Sequence, residues 1–207
     1  MAEGRPRGGS MDKRAAITAG ALTVFARDGY SRASIDAIAA EAAVSTRTIY
    51  NHFLDKARLF QAVIQESAGR VAEAQIAIID RHLSEVTDLE ADLIAFGRAW
   101  STPMPDYADH FCLVRQVNAE AGHIPQTAID AWQQTGPLRV RRALADRLRG
   151  LADRGLLRID DPEQAALHFS LLISGLNPSY RGSVVPADET AKVVASGVRA
   201  FLYGYLR

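Results

Sequence analysis

The sequence predicts an all-α protein, on three observations. Apolar residues recur at helical spacing along nearly the whole chain of 207 residues. No stretch alternates strictly between apolar and polar, as a half-buried strand would. The breaks between apolar stripes fall at Gly- and Pro-bearing segments, where helices end. The elements divide into a set of short helices before residue 60 and a larger helical body after it.

Residues 1–10 are rich in Gly, Pro and Arg and carry no apolar core, so a disordered tail is expected rather than a signal peptide. Arg5 and Arg7 in it are candidates for a flexible arm over phosphate or into a minor groove. From residue 12 to 27, Ile17, Ala21, Val24 and Phe25 share one helical face. Asp28-Gly29-Tyr30 stops this helix, with Gly29 suited to the left-handed conformation. Ser34 offers an N-cap for a short second helix that carries Ile35, Ile38 and Ala39 inward. Ala42-Ala43-Val44 makes a turn, and Ser45 caps a third helix anchored by Ile49, Tyr50 and Phe53. Asp55 caps a longer fourth helix over about 56–82. Further helices are expected over about 87–101, 106–121, 125–155, 161–176 and 188–206. They are bounded by Thr102-Pro103-Met104-Pro105, Gly122-His123, Gly155 and the Asn177-Pro178 turn with Gly182 and Pro186. Gly136-Pro137 lies inside the third of these and should break it, since proline lacks the N–H and clashes with the preceding turn. Three units follow: a tail over 1–10, a helix-turn-helix domain over 11–58, and a C-terminal helical domain over 59–207.

Composition is ordinary for a soluble globular chain, at 48% hydrophobic and 23% charged. The formal net charge of zero conceals an asymmetry. Residues 1–60 carry nine Lys/Arg against six Asp/Glu, a surplus of +3, and the remainder carries −3. A basic head on an acidic body suits a nucleic-acid module attached to a larger partner module. With Cys112 as the single cysteine, an intramolecular disulfide and a cysteine-based zinc site are both excluded, and a buried apolar role is expected for it. The longest apolar run, Phe169 to Leu176, is too short to span a bilayer, so a cytoplasmic protein without a membrane partner is expected.

The chemistry concentrates in Ser45-Thr46-Arg47-Thr48-Ile49-Tyr50-Asn51-His52-Phe53. One short helix there presents hydroxyl, guanidinium, phenol and amide groups just ahead of Lys56, a mixture suited to a double-stranded DNA reader. The N-terminal half of such a helix meets base edges while its surroundings hold phosphates. By position Thr46 and Arg47 are candidates for base contact, Arg47 by a bidentate bond to guanine. Thr48, Tyr50 and His52 can reach phosphates, Asn51 suits either role, and Lys56 adds charge at a helix N-terminus. Ser34 and Ser45 can cap their helices and touch the DNA backbone as well.

In these residues the chain resembles the TetR (tetracycline-repressor-like) family of bacterial regulators. The resemblance rests on Phe25-Ala26-Arg27-Asp28-Gly29-Tyr30, Ile38-Ala39, Ala43-Val44-Ser45, Thr48-Ile49-Tyr50-Asn51-His52-Phe53 and Lys56-Ala57-Arg58-Leu59, in the family's order and spacing. It covers the first quarter to third of the chain. Residues 113–156, with Ala119-Glu120-Ala121-Gly122 and Gly136-Pro137, are less specifically similar to one of the family's C-terminal variants. Two positions depart from the pattern. Ala43 stands where the turn usually carries Gly, so a position that often needs positive φ must be reached differently. Ala57 stands where an acidic residue commonly follows the lysine, which removes about 0.3–1 kcal/mol of favourable charge at a helix N-terminus.

The resemblance implies a DNA-binding transcriptional regulator, by family default a repressor acting on a palindromic operator. It further implies a C-terminal domain for ligand binding and dimerisation. The last two helices would form the homodimer interface, through Phe169, Leu172, Ile173 and Leu176 on one and Val194, Gly197, Val198, Phe201 and Tyr205 on the other. These stripes equally fit the chain's own core, since periodicity does not distinguish the two. A pocket for an unidentified small-molecule effector would draw on Phe96, Trp100, Met104, Tyr107, Phe111, Arg115, Asn118, His123 and Trp132, a mixture of apolar and convergent polar groups. Gly136-Pro137 is a candidate yielding element for its response. No cofactor is expected. Asp106 and His110 stand one helical turn apart near Asp109 and Cys112, and Glu120 lies near His123, yet neither group adds a third convincing metal ligand. No nucleophile spacing is present, so neither a metal site nor an enzyme is expected.

Overall fold

The computed structural model describes residues 8–174 and 186–205, and among these every regular element is helical. The helices are α1 (Gly8–Arg32), α2 (Ile35–Glu41), α3 (Thr46–His52), α4 (Lys56–Leu83), α5 (Leu89–Trp100), α6 (Ala108–Glu120), α7 (Gln126–Thr135), α8 (Pro137–Asp153), α9 (Pro162–Ile173) and α10 (Ala187–Tyr205). Single 3-10 turns at Pro105–Tyr107 and Ala121–His123 flank α6. No helix among the described residues is long and apolar enough to cross a membrane. The helix breaks fall as the sequence predicts, including the one at Gly136, whose N–H caps α7 on the Trp132 carbonyl before Pro137 opens α8. At the N-terminus α1 begins at Gly8, inside the expected tail, because extending an existing helix adds a hydrogen bond per residue. Arg5 and Arg7 lie outside the described residues, as does the Asn177-Pro178 turn.

The chain forms two compact units. The first comprises the chain through Val71 together with Met104–Pro137; the second comprises Ala72–Pro103 and the chain from Leu138. Their bounds differ from the domain boundary read at residue 58. Residues 104–137 belong with the N-terminal helices because Leu113, Val117, Ile124 and Ala128 are buried in one core with Ile17, Ala21, Val24 and Phe25. The α1 stripe is thus covered on one side by α2 and on another by α6.

The helix starts follow the predicted caps. Ser34 Oγ accepts from Ala37 N at 3.1 Å, Ser45 Oγ from Thr48 N at 3.1 Å, and Asp55 Oδ1 from Arg58 N at 2.8 Å. Asp55 supplies an acidic charge at the start of α4, where Ala57 does not. Gly29 has φ 79° and ψ 175°, so its φ is positive as expected, but its ψ is extended rather than left-handed helical. Only glycine readily adopts that region.

The turn between α2 and α3 corrects one expectation. Ala43 takes the positive φ itself, at 52°, instead of avoiding it. The geometry demands it: Val44 N donates to Ala39 O at 3.0 Å and Ala43 N to Ala40 O at 3.2 Å, a Schellman closure whose C′ residue must be left-handed. An alanine there costs about 1 kcal/mol. Ala43→Gly is therefore expected to raise the melting temperature by roughly 2–4 °C, read by circular dichroism. A lowered melting temperature would mean that the turn carries no such strain.

In the second unit Phe96, Phe169 and Phe201 form a chain of rings, with centroids 5.7 Å apart between the first two and 5.0 Å between the last two. This core takes up most of the stripe proposed for dimerisation. Phe169, Ile173, Val194, Gly197, Val198 and Phe201 are all buried within the chain, because α9 and α10 turn their apolar faces toward each other and toward α5. Tyr205 is half-buried and bonds His168 Nδ1 through its hydroxyl at 2.7 Å. Leu176 lies outside the described residues. Among the described residues of the proposed set only Leu172 is exposed, beside Leu171 at 63% and with Tyr203 of α10 at 91% exposure.

Candidate nucleic-acid interface

Helix α3 has two distinct faces. Ile49 and Phe53, one turn apart, are buried at 1% and 5% exposure, and Arg14 lies over the Phe53 ring at 4.5 Å from its centroid. The opposite row, 46, 47, 50 and 51, is also one turn apart in pairs. It carries half-buried Thr46 and exposed Arg47, Tyr50 and Asn51. Tyr50 was expected among the anchors, but at 55% exposure it points away from the core, since it sits a hundred degrees around the helix from Ile49. Among the described residues Arg47 has no ion-pair partner within 4.0 Å. Thr48 and His52 are half-buried on the flank, while Ser34 and Ser45 are exposed at the starts of α2 and α3. Ser45 Oγ also meets Thr48 Oγ1 at 2.9 Å. One hydroxyl hydrogen of that pair therefore remains available to an outside acceptor.

Lys56 is placed otherwise. Its Nζ donates to the carbonyls of Tyr30, Ser31 and Ala33 at 2.9, 3.4 and 3.1 Å and lies 4.7 Å from the centre of the Tyr30 ring. An ammonium has three hydrogens, and all three are engaged, so Lys56 holds the α1–α2 turn rather than offering a donor to phosphate. Burial, aided by the charge of Asp55, pushes the Tyr30 phenol above its ordinary range. Glu120 braces the same turn from α6, accepting from Ser31 N at 2.8 Å. Burial alone would push its carboxyl up, but the Ser31 bonds and the charges of Arg32 and His123 outweigh this and hold it below the usual range. A Cβ at Gly29 would lie 2.2 Å from Glu120 Oε1, so the glycine serves this close approach as well as its own φ. Neither clamp has a local signal, because the partners are 23–26 and 89 residues apart in sequence.

The nine residues proposed for an effector pocket are divided between the units. Phe96 and Trp100 pack in the core of the second unit, Phe96 fully buried. Met104, Tyr107, Phe111, Arg115, Asn118, His123 and Trp132 belong to the first. There Trp132 packs against the core with its Nε1 buried and unpartnered, and Arg115 donates to Cys112 Sγ at 2.9 Å. Asn118 and His123 are exposed. Tyr107 lines a cavity of about 280 Å³, whose other walls are Leu22, Ser67, Arg70, Pro105, Asp106, Ala108, Asp109 and His110. His110 is buried at 6% exposure with Nδ1 3.0 Å from Ser67 Oγ. Burial, with Arg70 adding repulsion, lowers its pKa to about 4, so the ring is neutral at pH 7. The one-turn spacing of Asp106 and His110 was a legible sign of this cavity; Ser67 and Arg70 carried none. Among the described residues no group of three or more His, Cys, Asp and Glu side chains is placed to hold a metal.

Comparison with known proteins agrees with this geometry. Residues 17–63 match the family described as bacterial regulatory proteins, tetR family. Residues 91–207 match the C-terminal domain described as AefR-like transcriptional repressor. The transcriptional regulator UidR of Escherichia coli K12 is 25% identical over 200 residues, covering 93% of this chain and 92% of UidR. The structure of a TetR-family regulator from Mesorhizobium loti superposes with a TM-score of 0.82 at 27% identity, covering 98% of this chain and 100% of that one. The flavonoid-responsive regulator FrrA superposes with a TM-score of 0.65 at 26% identity, covering 94% and 97%. Residues 17–63, which include the capped α3 with its outward polar row, and residues 91–207 both match models of one family, and the chain belongs to the TetR family of bacterial transcriptional regulators.

Proposed function

We propose that the protein is a ligand-responsive repressor that binds a palindromic operator as a homodimer in the cytoplasm and is released when a small molecule binds. The observation that carries the reading is the row Thr46, Arg47, Tyr50 and Asn51, which faces outward while Ile49 and Phe53 lock the other side of α3. Thr46 and Arg47 read base edges. Thr48, Tyr50, His52 and the capping serines Ser34 and Ser45 reach the backbone, and Asn51 serves either purpose. Lys56 acts by positioning the turn ahead of α2. The exposed Leu171, Leu172 and Tyr203 supply the apolar contact between copies in place of the buried stripe. Such pairing lets two recognition helices meet half-sites about one turn of DNA apart, or a multiple of it.

Release is linkage rather than chemistry. A ligand preferring one setting of the DNA-binding elements lowers operator affinity ~100-fold with about 2.7 kcal/mol of differential binding. The name of the similar regulator FrrA, which is flavonoid-responsive, supports a ligand response as a mode of action.

The test is fluorescence anisotropy with the DNA flanking the protein's own gene, over a salt series and with nonspecific competitor. Arg47→Ala is expected to weaken specific binding by roughly 5–150-fold, the loss of one bidentate base contact at about 1–3 kcal/mol, with the melting temperature unchanged. Tyr50→Ala should also weaken it. Binding that is weak and indifferent to both substitutions would overturn the reading.

A further inference from the structure

We propose that Arg14 is a further DNA-contacting residue, holding a phosphate beside the C-terminal end of α3 from a different helix. The inference rests on α3 meeting DNA as proposed above, and it adds a contact that the recognition helix and its caps do not supply. Arg14 lies ahead of residues 17–63, the segment that matches the family.

Its position follows from the pattern of α1. Residues 14, 17, 21 and 24 fall at i, i+3, i+7 and i+10, on one face of the helix. Ile17, Ala21 and Val24 are fully buried on that face, while Arg14, one turn nearer the N-terminus, is exposed at the edge of the same core. An arginine at such an edge lays its stem along apolar surface and carries its charge beyond it. The guanidinium carbon comes to rest 4.5 Å from the centre of the ring of Phe53, the residue that ends α3. Helix α3 has seven residues and is about 10 Å long, close to the roughly 12 Å width of a major groove. With Thr46 and Arg47 at the bases, the His52–Phe53 end stands at the rim of the groove, where phosphates run.

The second argument is which cations are still free. Arg27 donates through Nε and Nη2 to the Asp28 carboxylate at 2.9 Å each, and Arg70 is paired with Glu66 at 2.8 Å. Lys56 and Arg14 both lie against an aromatic ring, with opposite consequences. Lys56 has also spent its hydrogens on three carbonyls. Arg14 has no carboxylate within 4.0 Å among the described residues. A ring attracts the guanidinium charge without requiring any of its five N–H groups to meet an oxygen. Arg14 is therefore held in place but not neutralised. An arginine already settled on a ring loses less rotamer freedom on gripping a phosphate than one that sweeps through solvent. Lys13, Arg32 and Arg58 have no ion pair either, yet among the described residues none of them lies over a ring.

The experiment is fluorescence anisotropy of the full chain, with wild type beside Arg14→Ala and Arg27→Ala. The probes are the DNA flanking the protein's own gene and an unrelated duplex of equal length, over about 50 to 200 mM salt. Arg14→Ala should reduce the slope of log Kd against log salt by about 0.9 for each subunit bound, which is a loss of roughly 8-fold in affinity at about 0.1 M salt. Because phosphates carry no sequence information, the loss should be equal on both duplexes. Arg27→Ala removes the same formal charge and should leave the slope unchanged, since Asp28 already balances Arg27. The melting temperature of Arg14→Ala should fall by no more than about 1–4 °C. An unchanged slope in Arg14→Ala would overturn the proposal and leave the regulator reading standing, provided the wild type binds. An equal loss in Arg27→Ala would also overturn it, by showing an effect of net charge alone. So would a loss confined to the flanking DNA, which would show Arg14 only steadying α3 and its base contacts. Failure of the wild type to bind either duplex overturns both readings.

Discussion

Replacing Gly197 with alanine is expected to lower the melting temperature by roughly 6–12 °C, which corresponds to about 3 kcal/mol or more for a chain of this size. The reason is the kind of atom in the way. A Cβ at Gly197 would stand 2.1 Å from the Leu172 carbonyl oxygen and 2.6 Å from its carbon. These are backbone atoms of α9, and a packed helix cannot swing aside as a side chain does. Relief requires α9 and α10 to separate, which loosens the edge-to-face contact of Phe169 with Phe201 and the burial of Val194 and Val198. Gly150 in α8 is the control. Nothing lies within 4 Å of a Cβ there, so Gly150→Ala should stabilise by about 0.5–1 kcal/mol through helix propensity. Urea denaturation of the two variants side by side decides the matter. Equal, small effects would mean that α9 and α10 are not held as closely as described.

Lys56→Met is expected to cost about 2–3 kcal/mol of stability while leaving the salt dependence of DNA binding unchanged. The substitution keeps the aliphatic stem and removes the ammonium. Three carbonyls then lose a charged donor, a bond type worth about 1.5–3 kcal/mol, and the Tyr30 ring loses a cation worth about 0.5–1 kcal/mol. Water recovers part of this, because the site is half-open. The midpoint of urea denaturation reports the first effect. The slope of log Kd against log salt, measured well below the melting temperature, reports the second. A group that touches phosphate contributes about 0.9 to that slope. A slope reduced by about one unit in Lys56→Met would show Lys56 reaching phosphate and sink the positioning role. Arg47→Ala should behave in the opposite sense, weakening operator binding with the denaturation midpoint unmoved.

The candidate site was legible in the sequence to the extent that its chemistry is local. Ser34, Ser45 and Asp55 cap their helices through N–H groups three residues on, and such contacts can be read from spacing alone. The outward row of α3 was partly legible: Arg47 and Asn51 stand where expected, but Tyr50 was also counted as an anchor. An aromatic residue beside Ile49 fits an apolar stripe as readily as a polar face. The role of Lys56 was not legible, since its three acceptors come from the end of another helix.

The sequence by itself determined the helical elements, their caps and breaks, and the polar helix that marks the family, because all of these arise from interactions within a few residues. Tertiary structure alone decided which faces are used up inside the chain. It buried the stripe of α9 and α10 that had equally suited an interface, and it drew residues 104–137 into the core of the N-terminal helices. It also joined Ser67 to His110 and Glu120 to Ser31. The physical reason is that an amphipathic helix specifies that one face must be covered, not by what. The covering partner is selected by packing among segments dozens of residues apart, and periodicity carries no record of that choice.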